Sequence, residues 1–297
     1  MTTMRIGTRG SNLALTQTGL VADLLRQAHP QLTIDVVTIA TAGDRDQSTP
    51  LSAGEGAGWF TTAIQQALAA GEVDIAIHSY KDLPTRRPDG LVIAAVPMRE
   101  DPRDALVSRH PGGLNGLPRG ATVGTSSPRR EAQVREVRPD LDVRPIRGNV
   151  ETRVAKVDTG EFDAALLALA GLRRLGLENR ADHIFGYEEM LPAPAQGALA
   201  VECRSSDAET RALLTAIDDP AIREAVTAER VFLATIDGGC SFPAAAHAEH
   251  FGTTLKLRAL IAADGRIFRS KMAGPTASAA GLGRALAEEL MLLAGIR

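Results

Sequence analysis

The stretch GEVDIAI at residues 71–77 decides the fold, because a similar stretch, GEFDAAL, occurs at residues 160–166. In both, a glycine typical of a helix C-terminus precedes an apolar segment of strand length. A second pair, IGTRGS at 6–11 and VGTSSP at 123–128, ends a predicted strand and begins a helix. The two pairs predict two similar α/β lobes with a ligand cleft between them, where strands end and helices begin. The alternative is that any two β–α units share similarities as short as these.

The rest of the chain predicts a third, smaller domain. A length of 297 residues fits two or three domains. Pro220 begins a helix that extends to about Ile236, with Asp219 as its cap. Residues 253–272 form a predicted β-hairpin around an Asp-Gly turn, and an alanine–leucine helix follows. We therefore expect an α/β protein with a small α+β domain at its C-terminal end.

Composition and charge exclude several classes of protein. Two cysteines, Cys203 and Cys240, cannot form a disulfide framework, and no metal-ligand spacing surrounds them. The first residues lack the pattern of a signal peptide, and no segment approaches the ~18 apolar residues of a membrane span. A net charge of −3 argues against bulk nucleic-acid binding. We expect a cytoplasmic protein without a metal, a membrane or a nucleic-acid partner.

The stretch TSSPRR at residues 125–130 predicts an anion site at a helix N-terminus. Ser127 suits the N-cap and Pro128 the first helical position, so Arg129 and Arg130 fall in the first turn. Cations there face the positive end of the helix dipole, at a cost of up to about 1 kcal/mol each. A bound anion would offset this cost and accept hydrogen bonds from backbone N–H groups. The alternative is two solvated arginines on a surface helix.

Other predicted strand ends carry arginine in the same way, which favours the anion site. Arg147 ends a strand, Arg153 lies one turn into the next helix, Arg9 follows the first strand, and Arg173 and Arg174 follow another. Arginine binds carboxylates and phosphates through two parallel hydrogen bonds, so the ligand should carry several such groups. The chain has no phosphate loop of the GxxxxGK[ST] type, and we therefore favour a polycarboxylate over a nucleotide.

The stretch HSYKDLP at residues 78–84 adds a carboxylate to the predicted cleft. Asp82 follows a buried strand, so its side chain would lie among the arginines. It could act on a ligand N–H group or stabilise a developing cation, or it could be a turn residue or a partner of Lys81. His78 is either a second acid–base group or a packed histidine. The long glycine-rich loop at 41–58 is typical of a lid.

Several blocks along the chain match one known family in order: RIGTRGSNLALTQ, HSYKDLP, REDPRDALV, GTSSPRR, RGNVETR, LALAGLRRLG, PAPAQGALAVE and ERVFLATIDGGCSFP. On these blocks the chain resembles the porphobilinogen deaminase family, also called the hydroxymethylbilane synthases. The resemblance implies two lobes like those of periplasmic binding proteins, with the chain crossing between them twice. The implied domains are residues 1–97 with 198–216, residues 98–197 and residues 217–297, the last carrying the cysteine loop.

The resemblance also implies a covalent cofactor and a reaction. Cys240, in the loop GGCSFPA, matches the position that holds one dipyrromethane through a thioether bond, whereas Cys203 is better interpreted as core. The implied reaction condenses four porphobilinogen molecules stepwise onto this cofactor, with loss of ammonia. Water then releases the linear tetrapyrrole hydroxymethylbilane, a precursor in haem biosynthesis. Asp82 matches the catalytic aspartate of the family.

The resemblance assigns the remaining site residues by position. Those implied to bind the cofactor are Cys240, Lys81, Asp82, Thr125, Ser127, Arg129, Arg130, Arg147 and Arg153. Those implied to bind substrate are Arg9, Ser11, Arg147, Arg153, Arg174 and Gln196. The chain departs from the family at Ala57 and Thr61, where many relatives have lysine, and at Ala195, where the family block reads GQG.

The family expectation is a monomeric transferase whose partner is the small molecule porphobilinogen. The alternative function is a non-catalytic two-lobed receptor for a polycarboxylate, which fits the arginines equally well but gives no role to Cys240 or Asp82. An acidic-ligand sensor is a third interpretation, but the chain has no helix-turn-helix segment.

Overall fold

The computed structural model describes residues 3–41, 61–237 and 242–296. The first part of the chain alternates strands with helices. Its elements are β1 (Thr3–Thr8), α1 (Asn12–Ala28), β2 (Thr33–Thr38), α2 (Thr62–Ala69), β3 (Ile75–Ser79) and β4 (Leu91–Ala95). Cys240 and the loop at 42–58 lie outside the described residues.

The rest of the chain supplies a second α/β unit and then a different arrangement. The second unit contains β5 (Asp104–Ser108), α3 (Gly113–Gly116), β6 (Thr122–Gly124), α4 (Pro128–Val137), β7 (Asp142–Arg144), α5 (Val150–Asp158), β8 (Ala164–Ala168), α6 (Leu169–Arg174) and β9 (His183–Ile184). The elements that follow are β10 (Leu199–Arg204), α7 (Ala208–Thr215), α8 (Pro220–Ile236), β11 (Ala244–Phe251), β12 (Thr254–Ala263), β13 (Arg266–Pro275) and α9 (Ala279–Ala294).

The two α/β units have the same topology. The first sheet has the strand order β2-β1-β3-β10-β4 and the second has β7-β6-β8-β5-β9. In each, the second strand in the order, β1 or β6, is parallel to both of its neighbours. The central strand, β3 or β8, is antiparallel to the strand on its other side, β10 or β5. The similar sequence segments occupy equivalent strands of the two sheets. The pair IGTRGS and VGTSSP falls at the ends of β1 and β6, and the pair GEVDIAI and GEFDAAL leads into β3 and β8. The predicted pair of lobes is therefore confirmed.

Each central strand is buried on both faces, as its apolar sequence predicts. The first four residues of β3 and of β8 are buried. Along β8 the side chains alternate between two cores, with Leu166 against Phe185 on one face and Leu167 against Val154 on the other. The last residue of each central strand, Ser79 in β3 and Ala168 in β8, is only partly buried.

The small C-terminal unit is α+β, as predicted, but it has one strand more than expected. The hairpin β12–β13 turns at Asp264 and Gly265, with φ values of 50° and 73°. The additional strand is β11, which pairs with β12 along its whole length. Its sequence, AAAHAEHF, is rich in alanine, which has low β propensity. The strand forms because its alanines pack against helices α8 and α9.

Two crossovers, residues 96–103 and 185–198, connect the lobes, and Glu229 of α8 joins them to the C-terminal unit. Its buried carboxylate accepts hydrogen bonds from Arg99 of the first crossover at 2.8 and 3.0 Å. It also accepts one from the backbone N–H of Ala195 in the second crossover, at 2.6 Å, and one from Ala248 of β11, at 2.8 Å. Burial alone would raise the pKa of Glu229, but the Arg99 guanidinium lowers it to about 2. Within the described ranges, no helix has the length and hydrophobicity that crossing a membrane requires.

Candidate active site

Lys81 and Asp82 lie on a single 3₁₀ turn, Tyr80–Asp82, directly after β3. Asp82 is exposed, whereas Lys81 is partly buried and donates a 3.1 Å hydrogen bond from Nζ to Oε1 of Gln196. Burial lowers the pKa of Lys81 to about 8; Asp82 opposes this shift, while Arg130 and Arg129 add to it. The turn thus presents a carboxylate to solvent beside an ammonium group that loses its charge close to neutral pH.

The predicted helix start at Ser127 is confirmed, but its arginines face a partner that the sequence analysis missed. Ser127 Oγ accepts a hydrogen bond from the N–H of Arg130. Arg129 and Arg130 are 4% and 6% exposed, and both bind Asp104, the first residue of β5. The anion that offsets their charge at this helix N-terminus is therefore a side chain of the protein. The sequence does contain a signal for this partner: in the block REDPRDALV, Asp104 begins an apolar strand. A carboxylate buried in this way requires a cationic partner.

Asp104 is fully buried and accepts hydrogen bonds from three side chains. Oδ2 accepts from Arg129 at 2.7 Å, and Oδ1 accepts from Arg130 at 2.6 and 3.1 Å and from Gln196 Nε2 at 2.8 Å. Burial alone would raise the pKa of Asp104, but the two guanidinium groups hold it well below its usual range. Asp104 is therefore ionised at neutral pH.

The start of α5 contributes the second pair of predicted arginines. Asn149 caps the helix by accepting from the N–H of Thr152 at 2.8 Å, as predicted. Gly148, with φ of 107°, is required here, because a Cβ would lie 2.6 Å from Cγ2 of Thr152. Burial and the positive charges of Arg130 and Arg147 lower the pKa of Arg153 to about 10, and Asp82 acts in the opposite direction. Arg147, Arg130 and Asp82 therefore all lie within electrostatic range of Arg153.

The cleft is bridged near this point. Asn12, at the start of α1 in the first lobe, donates a 2.9 Å hydrogen bond to Glu151 at the start of α5 in the second. Ser11 caps α1 by accepting from the N–H of Ala14, and Gln17 of α1 contacts Ser79 at the end of β3. The helix starts that follow β1 and β7 thus face each other across the cleft.

The remaining predicted residues lie around this cluster. Thr125 is buried, and its Oγ1 accepts from the N–H of Ser127, which shapes the turn before α4. Arg174 donates to the backbone oxygen of Gly197 at 2.6 Å, and burial lowers its pKa to about 10. Arg9 is partly buried after β1. The contacts described here connect Lys81 and Gln196 with Arg129 and Arg130, whereas Arg9, Ser11 and Arg174 belong to the surrounding strand and helix ends.

Two residues outside the cluster have clear structural environments. His78 is 5% exposed, and its Nε2 lies 3.3 Å from Oε2 of the buried Glu202, inside the first lobe. Its position favours the interpretation as a packed histidine. Cys203 is buried in β10, and burial raises its pKa to about 11, which confirms the core assignment.

Comparison with known proteins identifies the family. A family model described as porphobilinogen deaminase, dipyromethane cofactor binding domain, matches residues 4–212, and the model of the C-terminal domain matches residues 223–292. The chain belongs to the porphobilinogen deaminase family. The porphobilinogen deaminase of Roseiflexus castenholzii is 48% identical over 289 residues, covering 97% of this chain and 95% of the relative. That of Syntrophus aciditrophicus is 44% identical over 290 residues, with coverage of 97% and 95%.

Solved structures with lower similarity include periplasmic binding proteins. A probable amino-acid ABC transporter extracellular-binding protein from Bacillus subtilis has a TM-score of 0.45 at 12% identity, covering 73% of this chain and 90% of that one. An arginine-specific periplasmic binding protein from Salmonella typhimurium has a TM-score of 0.42 at 12% identity, with coverage of 73% and 92%. These scores are low, and the two-lobe description rests on the matching strand orders of the sheets.

The described residues fit the family's dipyrromethane cofactor, whose pyrrole rings carry carboxylate side chains. In the described part of the site, the cations outnumber the carboxylates: Lys81, Arg129, Arg130, Arg147 and Arg153 against Asp82, Asp104 and Glu151. Nε of Arg129 is buried and donates to no described atom. The lowered pKa values of Lys81 and Arg153 result from burial and from repulsion by neighbouring arginines, which an anionic ligand would offset.

The departure from the family at Ala195 has a structural consequence. Ala195 adopts φ of 61°, in the left-handed region that favours glycine, and it is fully buried. The next residue but one, Gly197, has φ of 85°, and a Cβ there would lie 2.1 Å from the backbone oxygen of Glu100. Gln196 is therefore held between two residues with left-handed backbone, one of which carries a side chain.

Proposed function

We propose that this protein is a transferase of tetrapyrrole biosynthesis. It condenses four porphobilinogen molecules stepwise onto a covalently bound dipyrromethane, releases ammonia, and then releases the linear tetrapyrrole hydroxymethylbilane. The observation that carries this proposal is the family match along the two lobes and the C-terminal unit. The cluster of partly desolvated cations around one exposed aspartate supports it. The alternative, a polycarboxylate receptor without chemistry, is disfavoured by the family match.

The cofactor, when bound, supplies the pyrrole carbon to which the first substrate is joined. We propose Cys240 as its point of attachment through a thioether bond. The residues proposed to hold its carboxylates and pyrrole N–H groups are Lys81, Asp82, Thr125, Ser127, Arg129, Arg130, Arg147 and Arg153. Arginine suits this task because its planar fork matches a carboxylate.

The residues proposed to bind the incoming substrate are Arg9, Ser11, Arg147, Arg153, Arg174 and Gln196. They occupy strand ends and helix termini of both lobes and, for Gln196, the second crossover. A substrate with two carboxylates can therefore be held from both sides of the cleft. Holding the substrate in this way fixes its reacting carbon and lowers the entropic part of the barrier.

Asp82 is proposed to perform the electrostatic step. Its carboxylate accepts hydrogen bonds from pyrrole N–H groups and stabilises the positive charge that develops on the substrate as its amino group leaves as ammonia. The cations around it hold the carboxylates of the ligands and leave Asp82 as the exposed negative group of the described cluster. This division of charge keeps the substrate's own carboxylates away from the reacting carbon.

The remaining features are proposed from the family and from composition. We propose a monomer in the cytoplasm, with porphobilinogen as its small-molecule partner and no nucleic-acid partner. We also propose the domain boundaries 1–97 with 198–216, 98–197 and 217–297. The pairing of β10 with β3 and β4 of the first sheet supports the discontinuous first domain.

Intact-mass measurement of the denatured protein tests the proposal. Wild-type protein should carry an added mass of two pyrrole units, and Cys240→Ser should lack it. Cys203→Ala is the matched control, because this cysteine is buried in β10, and it should keep the added mass. Wild-type protein should also release ammonia from porphobilinogen. Unmodified wild-type protein that releases no ammonia would support the receptor alternative.

A further inference from the structure

Asp104 joins the arginine pair to the crossovers between the lobes. Its carboxylate binds Arg129 and Arg130 of α4 on one side and the amide of Gln196, in the second crossover, on the other. Gln196 also donates to the backbone oxygen of Pro102 in the first crossover, at 2.6 Å. One buried carboxylate therefore connects both crossovers with the start of α4.

The hydrogen bonds of Asp104 determine which arginine donors remain for a ligand. Arg130 uses Nε and Nη2 on Asp104 and Nη1 on the backbone oxygen of Leu166. Arg129 uses Nη1 on Asp104 and on the backbone oxygen of Leu191, and its Nε is buried without a described partner. The two side chains are thus held in fixed orientations, with one negative charge set against their two positive charges.

The same network extends to the turn that carries the catalytic candidate. Gln196 donates from Nε2 to Asp104, and its Oε1 accepts from Nζ of Lys81, so the amide is oriented by both partners. Lys81 is the direct neighbour of Asp82 in the turn Tyr80–Asp82. If the Asp104 carboxylate moved, Gln196 and Lys81 would therefore be displaced, as would the arginines that it binds.

We propose that Asp104 is a positioning residue for the reaction: it orients Arg129 and Arg130 toward the ligand carboxylates and holds Lys81 through Gln196. The inference rests on the proposed function, because the ligand is the cofactor and growing product of that reaction. Asp104 itself is fully buried and acts through the residues it binds. Removing its charge would leave two adjacent guanidinium groups without their carboxylate counterion and would weaken the hydrogen bond from Gln196.

Two substitutions separate the charge of Asp104 from its position. Asp104→Asn keeps the shape but removes the charge, and Asp104→Glu keeps the charge but moves the carboxylate. The charged groups that face Lys81 are Asp82 in its own turn, Arg129 and Arg130 on α4, and Asp104 on β5. Since Asp104 favours the charged form of Lys81, its loss should move the alkaline limb of kcat/KM toward lower pH, which a purely structural residue would not do.

The experiment measures cofactor loading by intact mass, and kcat and KM for porphobilinogen across pH. Asp104→Asn should reduce cofactor loading at least fivefold and move the alkaline limb to lower pH. Asp104→Glu should load cofactor, keep the limb in place and raise KM at least fivefold. The control is Asp140→Asn, which removes an aspartate paired with Arg138 in the same lobe, away from the site, and should match wild type in all three measurements.

Gln196→Met covers the case in which Asp104→Asn does not fold, since it removes the amide link and leaves the buried ion pairs intact. It should raise KM at least fivefold. The inference is overturned if Asp104→Glu and Gln196→Met both retain kcat/KM within twofold of wild type, or if Asp104→Asn folds and its pH limb is unmoved. Wild-type protein without cofactor or ammonia release would instead contradict the proposed function itself.

Discussion

Nζ of Lys81 lies 3.1 Å from Oε1 of Gln196, and this hydrogen bond joins the end of β3 in the first lobe to the second crossover. Burial lowers the pKa of Lys81 to about 8, so its charge is lost as the pH rises just above neutral. If charged Lys81 binds ligand carboxylates, kcat/KM should fall about tenfold between pH 7 and pH 9.

Lys81→Arg should remove this decrease, because arginine stays charged over the whole range. Thermal unfolding in the same buffers is the control. The pKa of Lys81 is lowered to about 8 in the folded protein. Between that pH and the ordinary lysine pKa of about 10, the unfolded chain keeps a proton that the folded chain has lost, so this group makes the fold more stable as the pH rises. A flat pH profile for wild-type protein would refute the role of the charge.

Asp82→Ala should fold normally and keep part or all of its cofactor but lose turnover by at least about 10²-fold, as when other preorganised electrostatic groups are removed. The side chain is exposed, so its removal should change the free energy of unfolding little. Asp89→Ala removes another exposed aspartate shortly after the same turn and should retain full turnover. Normal ammonia release by Asp82→Ala would remove this residue from the reaction.

Arg147→Leu and Arg153→Leu should stall elongation or prevent cofactor assembly, because each removes a cation from the group around Asp82. Arg129→Leu should do the same and also expose the Asp104 charge to an apolar neighbour. Arg135→Leu, at an exposed i,i+4 pair with Glu131 on α4, is the control and should leave turnover unchanged. Ammonia release and the intact mass of protein mixed with substrate report the outcome; normal rates for all three site variants would contradict the carboxylate-binding role.

Ala195→Gly isolates the left-handed backbone before Gln196. Relief of the left-handed conformation is worth about 1–2 kcal/mol. The variant also loses a buried methyl group and gains freedom in its unfolded chain, and these two effects destabilise it by about the same amount. We therefore expect little net change in the free energy of unfolding. Ala198→Gly, equally buried in the same core but without positive φ, should destabilise by about 1–2 kcal/mol. Urea unfolding measures both, and equal losses would show that Ala195 is unstrained.

Glu229→Gln should destabilise the fold by about 3–5 kcal/mol at neutral pH, because it leaves the buried Arg99 without its counterion. The pKa of Glu229 is lowered to about 2 in the folded protein, so this stabilisation is present above the unfolded pKa and is lost as pH falls through 2. The difference between wild type and variant should therefore shrink below about pH 4.5. Glu224→Gln, at a more exposed position on the same helix, should change the free energy of unfolding by less than about 1 kcal/mol.

Local signals in the sequence were sufficient for the two lobes and for the start of each site helix. The repeated glycine-strand segments predicted two lobes, because a buried central strand and its preceding helix end depend on neighbouring residues in the chain. The caps at Ser127, Asn149 and Asp219 were predicted for the same reason, and the structure has all three. The family resemblance added the cofactor and the reaction, which no periodicity could supply.

Tertiary structure alone decided how the site's charges are partnered. Asp104 is 25 and 26 residues from its two arginines and 92 from Gln196, so no local pattern could pair them. Ala195, with its left-handed backbone, likewise donates its N–H to Glu229, which is 34 residues away in the chain. The alanine-rich strand β11 is stabilised by the helices that cover it. Sequence by itself determined what the chain forms locally, whereas long-range burial decided which charges are neutralised inside the protein and which face the ligand.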